Sequence, residues 1–234
     1  MALPYFYMET IDGSERLITL AEDTSRHIVQ VLRMEEGNKL QLTDGKGNLY
    51  TAEISQVNKK SASVKILSGD YDPNPSHQIT IAISLLKNAS RFEWFLEKAA
   101  EMGIYEIIPL ICDRTEKHHF RLDRMKSILV SAMLQSQQSW LTKLSEPVLL
   151  STQLSGFDHA LKLIGHCEET NKRFIKDFNK DSDTLILIGP EGDFSPEEID
   201  RALQNNFLPV TLGNTRLRTE TAGIVAAVLL KNRL

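Results

Sequence analysis

The alternation of apolar and polar positions changes character near residue 75. Before it, short runs alternate with period two, as half-buried strands do. Pro4–Met8 is aromatic-rich, and Lys39–Thr43, Leu49–Val57 and Ala62–Leu67 alternate. Asp44-Gly45-Lys46-Gly47 between two of these runs is a hairpin turn signal. One helix is expected among them. Thr19-Leu20-Ala21-Glu22 reads as a capping box, with His27, Ile28, Val31 and Leu32 as the spaced face of a helix reaching Leu32. Strands at this spacing suggest a small β-barrel.

Residues 69–76, with one glycine, two prolines and two aspartates, form the best linker candidate. The expected division is a first domain over 1–70, a linker over 71–78 and a second domain over 79–234. In the second, Ile79–Leu86 is a nearly continuous apolar run, as in a strand of a buried parallel sheet. Ser90–Met102 places Phe92, Phe95, Leu96, Ala99 and Met102 on one helical face, and Gly103 closes it. Tyr105–Ile111 predicts a strand. Leu122–Gln138 predicts a helix with Met125, Ile128, Leu129, Ala132 and Met133 as its stripe. Leu161–Ile164 predicts a strand and Thr170–Phe178 a helix. This strand–helix alternation predicts a parallel α/β sheet.

The last third repeats one device. Thr184–Ile188 is a short apolar strand that breaks at Gly189-Pro190-Glu191-Gly192. Ser195 then reads as an N-cap, Pro196 as the first helical residue and Glu198 as the return half of a capping box. Leu208–Leu212 is a second strand meeting Gly213-Asn214, before an apolar helix over Ala222–Leu230. Two strand ends thus deliver two glycine loops, each followed by a helix. In open α/β sheets the ligand crevice lies outside such carboxyl ends.

Composition narrows the function. The chain has 234 residues, 41% hydrophobic and 25% charged, as soluble globular proteins do. A formal charge of −4 argues against a nonspecific polyanion binder, so any nucleic-acid contact needs a local basic face. Cys112 and Cys167 are far apart and form no CxxC, so a reducing cytoplasm is the expected compartment. No apolar run reaches the ~18 residues of a membrane span, and the N-terminus lacks the pattern of a signal peptide. The dinucleotide-binding, phosphate-loop and GxSxG signatures are missing. None of the six histidines stands at a zinc-binding spacing, so no metal is expected.

Gly189-Pro190-Glu191-Gly192 with Phe194-Ser195 and Glu198-Ile199, then Leu212-Gly213 and Leu217-Arg218-Thr219-Glu220-Thr221-Ala222, resemble the knotted SPOUT-class methyltransferases. More narrowly they are similar to the bacterial RsmE-type enzymes, which methylate N3 of a uridine in 16S ribosomal RNA. Ser25-Arg26-His27, Lys87 with Arg91, Glu97–Gly103, Asp113-Arg114 and Gln135-Ser136 extend the likeness over nearly the whole chain. This chain differs in having Asp193 where that family usually has a third glycine, Ile28 where it usually has a second histidine, no acidic residue near Met133 where one is common, and Gln137-Gln138 where it often has an arginine.

The resemblance implies a trefoil-knotted α/β domain binding S-adenosylmethionine, a PUA-like N-terminal barrel binding 16S rRNA or the small ribosomal subunit, and a homodimer. It assigns Leu187, Ile188, Gly189, Glu191 and Gly192 to one cofactor loop. Leu212, Gly213, Asn214, Leu217, Arg218, Thr219 and Thr221 form the other. Uridine N3 must lose a proton before it can accept a methyl group, so a base or a stabiliser of the resulting anion is needed. Glu220 is the candidate base and Arg218 the candidate stabiliser, although an acid in the first turn of a helix is favourable against the macrodipole anyway.

RNA contacts are expected from Arg114, Lys117, Arg121, Arg124 and Lys126, with His118, His119 and Phe120 as stacking rings. Lys87 and Arg91 lie just after a strand end, and Arg26, His27, Arg33, Lys59 and Lys60 are the candidates in the first domain. A methyltransferase acting on another rRNA or tRNA position, and an RNA-binding assembly factor without catalysis, remain alternatives.

Overall fold

The computed structural model describes residues 3–12, 17–58, 61–168, 171–178 and 182–231. The chain divides into two compact units, Met1–Asn74 with Met133–Leu141, and Pro75–Ala132 with Thr142–Leu234.

The first unit holds β1 (Tyr5–Tyr7), β2 (Leu17–Thr19), α1 (Glu22–Arg26), β3 (Lys39–Thr43), β4 (Asn48–Val57) and β5 (Ala62–Tyr71). The strands form one sheet in the order β1-β3-β4-β5-β2. The β1–β3 pair is parallel and the others antiparallel. Among the described residues, β1 and β2 are the edges of this sheet. Leu40, Leu42, Ala52, Ile54 and Val64 make its core, as the alternation predicts. At the β3–β4 turn, Asp44 Oδ1 accepts from the Lys46 N–H at 2.8 Å and Oδ2 from the Asn48 amide at 2.7 Å, an Asx-type turn.

The expected helix over 19–32 is revised. Thr19 ends a strand, and its hydroxyl pairs with that of Ser63 at 3.2 Å instead of capping a helix. Helix α1 starts at Glu22 without a side-chain cap and continues as a π turn over His27–Val31. Ser25 and Ile28 face inward, while Val31 and Leu32 are exposed. Ser25 Oγ donates to the Leu20 carbonyl and accepts from the Ala62 N–H, so a polar residue takes an inward position that hydrophobic periodicity cannot mark.

The 71–78 linker and the two-part division are also redrawn. β5 runs through Tyr71, and the units part between Asn74 and Pro75. The Met133–Leu141 segment returns to the first unit and closes it. The Ser139 carbonyl accepts from the Gly47 N–H at 3.0 Å, and the Leu141 N–H donates to the Gly45 carbonyl at 2.9 Å. Ser139 Oγ donates to the Asp72 carboxylate at 2.7 Å, and the Trp140 indole donates to the Asp72 carbonyl at 2.9 Å.

The second unit contains β6 (Ile79–Ser84), α2 (Ala89–Glu101), β7 (Glu106–Ile111), α3 (Leu122–Gln135, its last turn in the first unit), β8 (Lys143–Leu144), β9 (Val148–Leu149) and α4 (Leu150–Gln153). It continues with β10 (Leu161–Gly165), β11 (Arg173–Phe174), β12 (Thr184–Ile188), α5 (Pro196–Gln204), β13 (Leu208–Thr211) and α6 (Thr219–Lys231). Every described pairing in its sheet is parallel, in the order β11-β13-β10-β12-β6-β7-β8, with β9 also on β7. The expected helix over 170–178 is instead the two-residue β11 and a 3-10 turn over Ile175–Asp177, with Thr170 outside the described residues. Helix α3 ends at Gln135, three residues early, and α6 starts three residues early at Thr219.

The strand order creates a crossing. β12 and β13 lie on opposite sides of β10, so the chain from β12 passes over β10 through α5. After β13 it returns, and α6 packs on α2, β6 and β12. The parallel α/β sheet is as expected.

Candidate active site

Three neighbouring strands of the second unit end together. Gly165 is in register with Ile188 on one side and with Val210 on the other, so β10, β12 and β13 leave the sheet side by side. Their loops line a cavity of about 450 Å³ that also takes in the start of α6. That volume lies within the range of small-molecule sites.

The first wall is the 189–194 loop. A Cβ on Gly189 would come within 3.1 Å of the backbone nitrogen and ring of Phe194, so any side chain there would push the loop back by a few tenths of an ångström. The loop then feeds α5 through the predicted capping box: Ser195 Oγ accepts from the Glu198 N–H, and Glu198 Oε2 from the Ser195 N–H.

The β7–α3 loop buttresses this wall from behind. Asp113 accepts from Ser195 Oγ at 2.7 Å, and its N–H donates to Glu198 Oε1 at 2.9 Å. Arg114 Nη1 donates to the Gly192 carbonyl at 2.8 Å and the Phe194 carbonyl at 3.2 Å. The second wall is the 212–217 loop, where Gly213 has φ 144°, a conformation essentially limited to glycine. Thr211 Oγ1 donates to the Gly213 carbonyl and accepts from its N–H, which fixes the bend.

The third wall, Gly165-His166-Cys167 with Lys172, escaped the sequence reading. His166 is buried, and neither ring nitrogen has a hydrogen-bond partner among the described residues. Burial, followed by the nearby Lys172 charge, pushes its pKa below the usual histidine value. Cys167 is exposed, and partial desolvation of its thiol followed by the Asp193 charge raises its pKa. Asp193 links this wall to the first, its Oδ2 accepting from the Cys167 N–H at 2.7 Å.

With this geometry in place, the likeness to known proteins is specific. Residues 72–231 match the family model described as "RNA methyltransferase domain", which covers more than half of the chain. The chain belongs to this family.

Residues 20–67 match the model described as "RNA methyltransferase PUA domain", which places the five-stranded unit in the same family. A probable rRNA-methyltransferase from Porphyromonas gingivalis is 38% identical, with 97% of this chain and 96% of that one covered and a TM-score of 0.90. A ribosomal RNA small subunit methyltransferase E from Neisseria gonorrhoeae, solved bound to S-adenosyl methionine, is 29% identical, with 97% and 96% covered and a TM-score of 0.87. The Rickettsia conorii protein named ribosomal RNA small subunit methyltransferase E is 26% identical, over 89% of this chain and 87% of its own.

Within this methyltransferase, the cavity gathers Ile188, Gly189, Glu191, Leu212, Gly213, Asn214, Leu217 and Thr219 of the twelve residues expected to hold cofactor. Leu187, Gly192, Arg218 and Thr221 are not among its lining residues. The period of a strand explains Leu187: it faces the core with Leu185, and Ile188 takes the cavity side. Gly192 lies against the Arg114 side chain. Arg218 is exposed one residue before α6, whereas Glu220 is buried in its first turn. Glu220 Oε1 is 3.7 Å from Arg91 Nε, and Oε2 has no hydrogen-bond partner among the described residues.

The basic candidates sort by what already holds them. Arg114 is engaged on the cavity loop, and Lys87 Nζ is paired with Glu116 at 2.7 Å. Arg124 is paired with Glu93, and the Phe120 ring packs edge-on against Phe92, 6.1 Å between centroids. Lys117, His119, Arg121 and Lys126 are exposed, as is His118, whose ring nitrogen meets the Thr115 carbonyl at 3.1 Å. In the first unit Arg26 pairs with Glu22 at 3.0 Å, His27 stands edge-on to Phe6, and Arg33 is exposed with φ 52°. Lys59 and Lys60 lie outside the described residues.

Proposed function

We propose that this chain methylates N3 of a uridine in 16S rRNA of the small ribosomal subunit, with S-adenosylmethionine as donor. The observation that carries the reading is the meeting of two glycine loops at three adjacent carboxyl ends of parallel strands. Gly189 and Gly213 suit a nucleoside, because bare backbone can approach adenine and ribose and offer N–H and C=O groups. When bound, the cofactor supplies a methyl group already activated by a sulfonium.

The chain's own work is positioning and proton handling. Glu220 accepts the N3 proton, so that the nitrogen lone pair is free for the methyl group. Its Oε2 is buried without a hydrogen-bond partner among the described residues, and Glu220 follows Thr219 of the cavity wall. Arg218 stabilises the negative charge that then spreads onto the pyrimidine oxygens. Lys117 and Arg121, with Arg26, His27 and Arg33 on the first unit, meet the RNA backbone, and Arg91 orients Glu220.

The working form is a homodimer in the cytoplasm. Helix α6 is apolar on most faces, and Val228 on it and Trp94 on α2 remain exposed. Sedimentation equilibrium giving the mass of a single chain would reject the dimer. The substrate is tested by mass mapping of rRNA from a deletion strain, in which one methylated uridine of 16S rRNA should lose its methyl group. Loss at another rRNA or at a tRNA position redirects the assignment, and an unchanged RNA overturns the enzyme reading.

A further inference from the structure

Asp193 is the only described non-glycine residue of the cavity wall with a positive φ, 64°. The conformation is accessible to aspartate, but glycine adopts it with less strain. Its N–H closes the turn onto the Pro190 carbonyl at 2.9 Å. Its carboxylate is held between two walls, Oδ2 accepting from the Cys167 N–H at 2.7 Å and Oδ1 from the Phe194 N–H at 2.9 Å. A turn alone needs no carboxylate at this point.

The other charged residues of the cavity wall are Glu191, Lys172 and Arg216. Glu191 is exposed and accepts from the Lys87 N–H, and Lys172 Nζ donates to the His166 carbonyl. Asp193 is therefore a negative charge fixed at both oxygens by backbone. A methyl donor of the sulfonium class and the thioether left after transfer share every group except the methyl and its positive charge. A fixed carboxylate on the wall acts on that difference.

We propose that Asp193 makes the cavity charge-selective, favouring the sulfonium-bearing donor over the neutral thioether product and so promoting product exchange. This rests on the reading of the cavity as an S-adenosylmethionine site. A charge pair several ångströms apart near a protein surface is worth on the order of a tenfold change in affinity or more.

The test is calorimetric titration of wild type, Asp193→Asn and Asp193→Gly with S-adenosylmethionine and with S-adenosylhomocysteine, thermal melts confirming that each is folded. Asn keeps one acceptor and tolerates the left-handed backbone. Gly removes the charge and the strain together, so it supplies the comparison if the Asn variant does not fold. The expected result is donor affinity weakened about tenfold and product affinity within about twofold. Equal weakening for both ligands would mean that Asp193 only ties the walls, and unchanged affinities would mean that it does neither; both outcomes overturn the proposal. If wild type binds neither ligand, the cofactor reading of the cavity fails instead.

Discussion

Glu220 is a buried carboxylate with one oxygen to spare. At 3.7 Å Arg91 reaches only Oε1, and Oε2 has no partner among the described residues. Leaving a buried polar atom unpaired costs about 1–3 kcal/mol, and such unpaired groups recur at functional sites. The first turn of α6 favours negative charge there, so the fold can hold the carboxylate in place without help from substrate. Arg218 has no such structural duty, because it is exposed, and neither residue lines the cavity wall. The Arg218→Ala variant should therefore bind S-adenosylmethionine within about threefold of wild type and lose about a hundredfold in the methyl-transfer step. Glu220→Gln should behave likewise if the carboxylate takes the N3 proton. Single-turnover transfer measured beside calorimetry separates the two effects, and small, equal losses in both would remove these residues from the chemistry.

Elements were legible where one physical signal dominated them. The capping box at Ser195 and the apolar runs of β6 and β12 each appear where the sequence puts them, because burial on both faces and a side-chain cap leave few alternatives. Thr19 imitated a cap, but pairing with β5 claimed it. The two-residue strands β8, β9 and β11 are too short to carry a period at all. The third cavity wall was hidden for a different reason. Only the sheet order puts β10 between β12 and β13, and no local pattern at Gly165-His166-Cys167 reports its neighbours. The same holds for Arg114: its positive charge suggested RNA, and only the fold reveals the Gly192 and Phe194 carbonyls it serves.

Helix packing supplies a prediction of its own. A Cβ on Gly223 of α6 would stand 2.5 Å from the Phe95 ring of α2 and 3.0 Å from Ile83 of β6. Gly223→Ala should destabilise by about 1–3 kcal/mol through overpacking, a fall in Tm of roughly 2–12 °C for a chain of this size. A melt within about 1 °C of wild type would show that α6 does not sit this close.

In the whole molecule the unit boundaries do not follow the order of the chain. The five-stranded unit takes Met133–Leu141 from the far side of α3, and that segment supplies hydrogen bonds to the β3–β4 turn and to Asp72. Cutting at the Asn74–Pro75 break would therefore not yield a self-sufficient C-terminal piece. A 75–234 fragment would carry the Ser139 carbonyl, the Leu141 N–H and the Trp140 indole without the partners they have in the full chain, so the bonds that order this segment would be replaced by water. Native-state hydrogen exchange reads this directly. In the full chain the Leu141 amide, bonded to the Gly45 carbonyl at 2.9 Å, should be protected, as should the Gly47 amide bonded to the Ser139 carbonyl. In the 75–234 fragment the Leu141 amide should exchange at least about a hundredfold faster while amides of β6 and β12 keep most of their protection. Leu141 protection that survives the cut would mean that the segment is ordered by the second unit. The division at Met133 and Leu141 would then have to be redrawn.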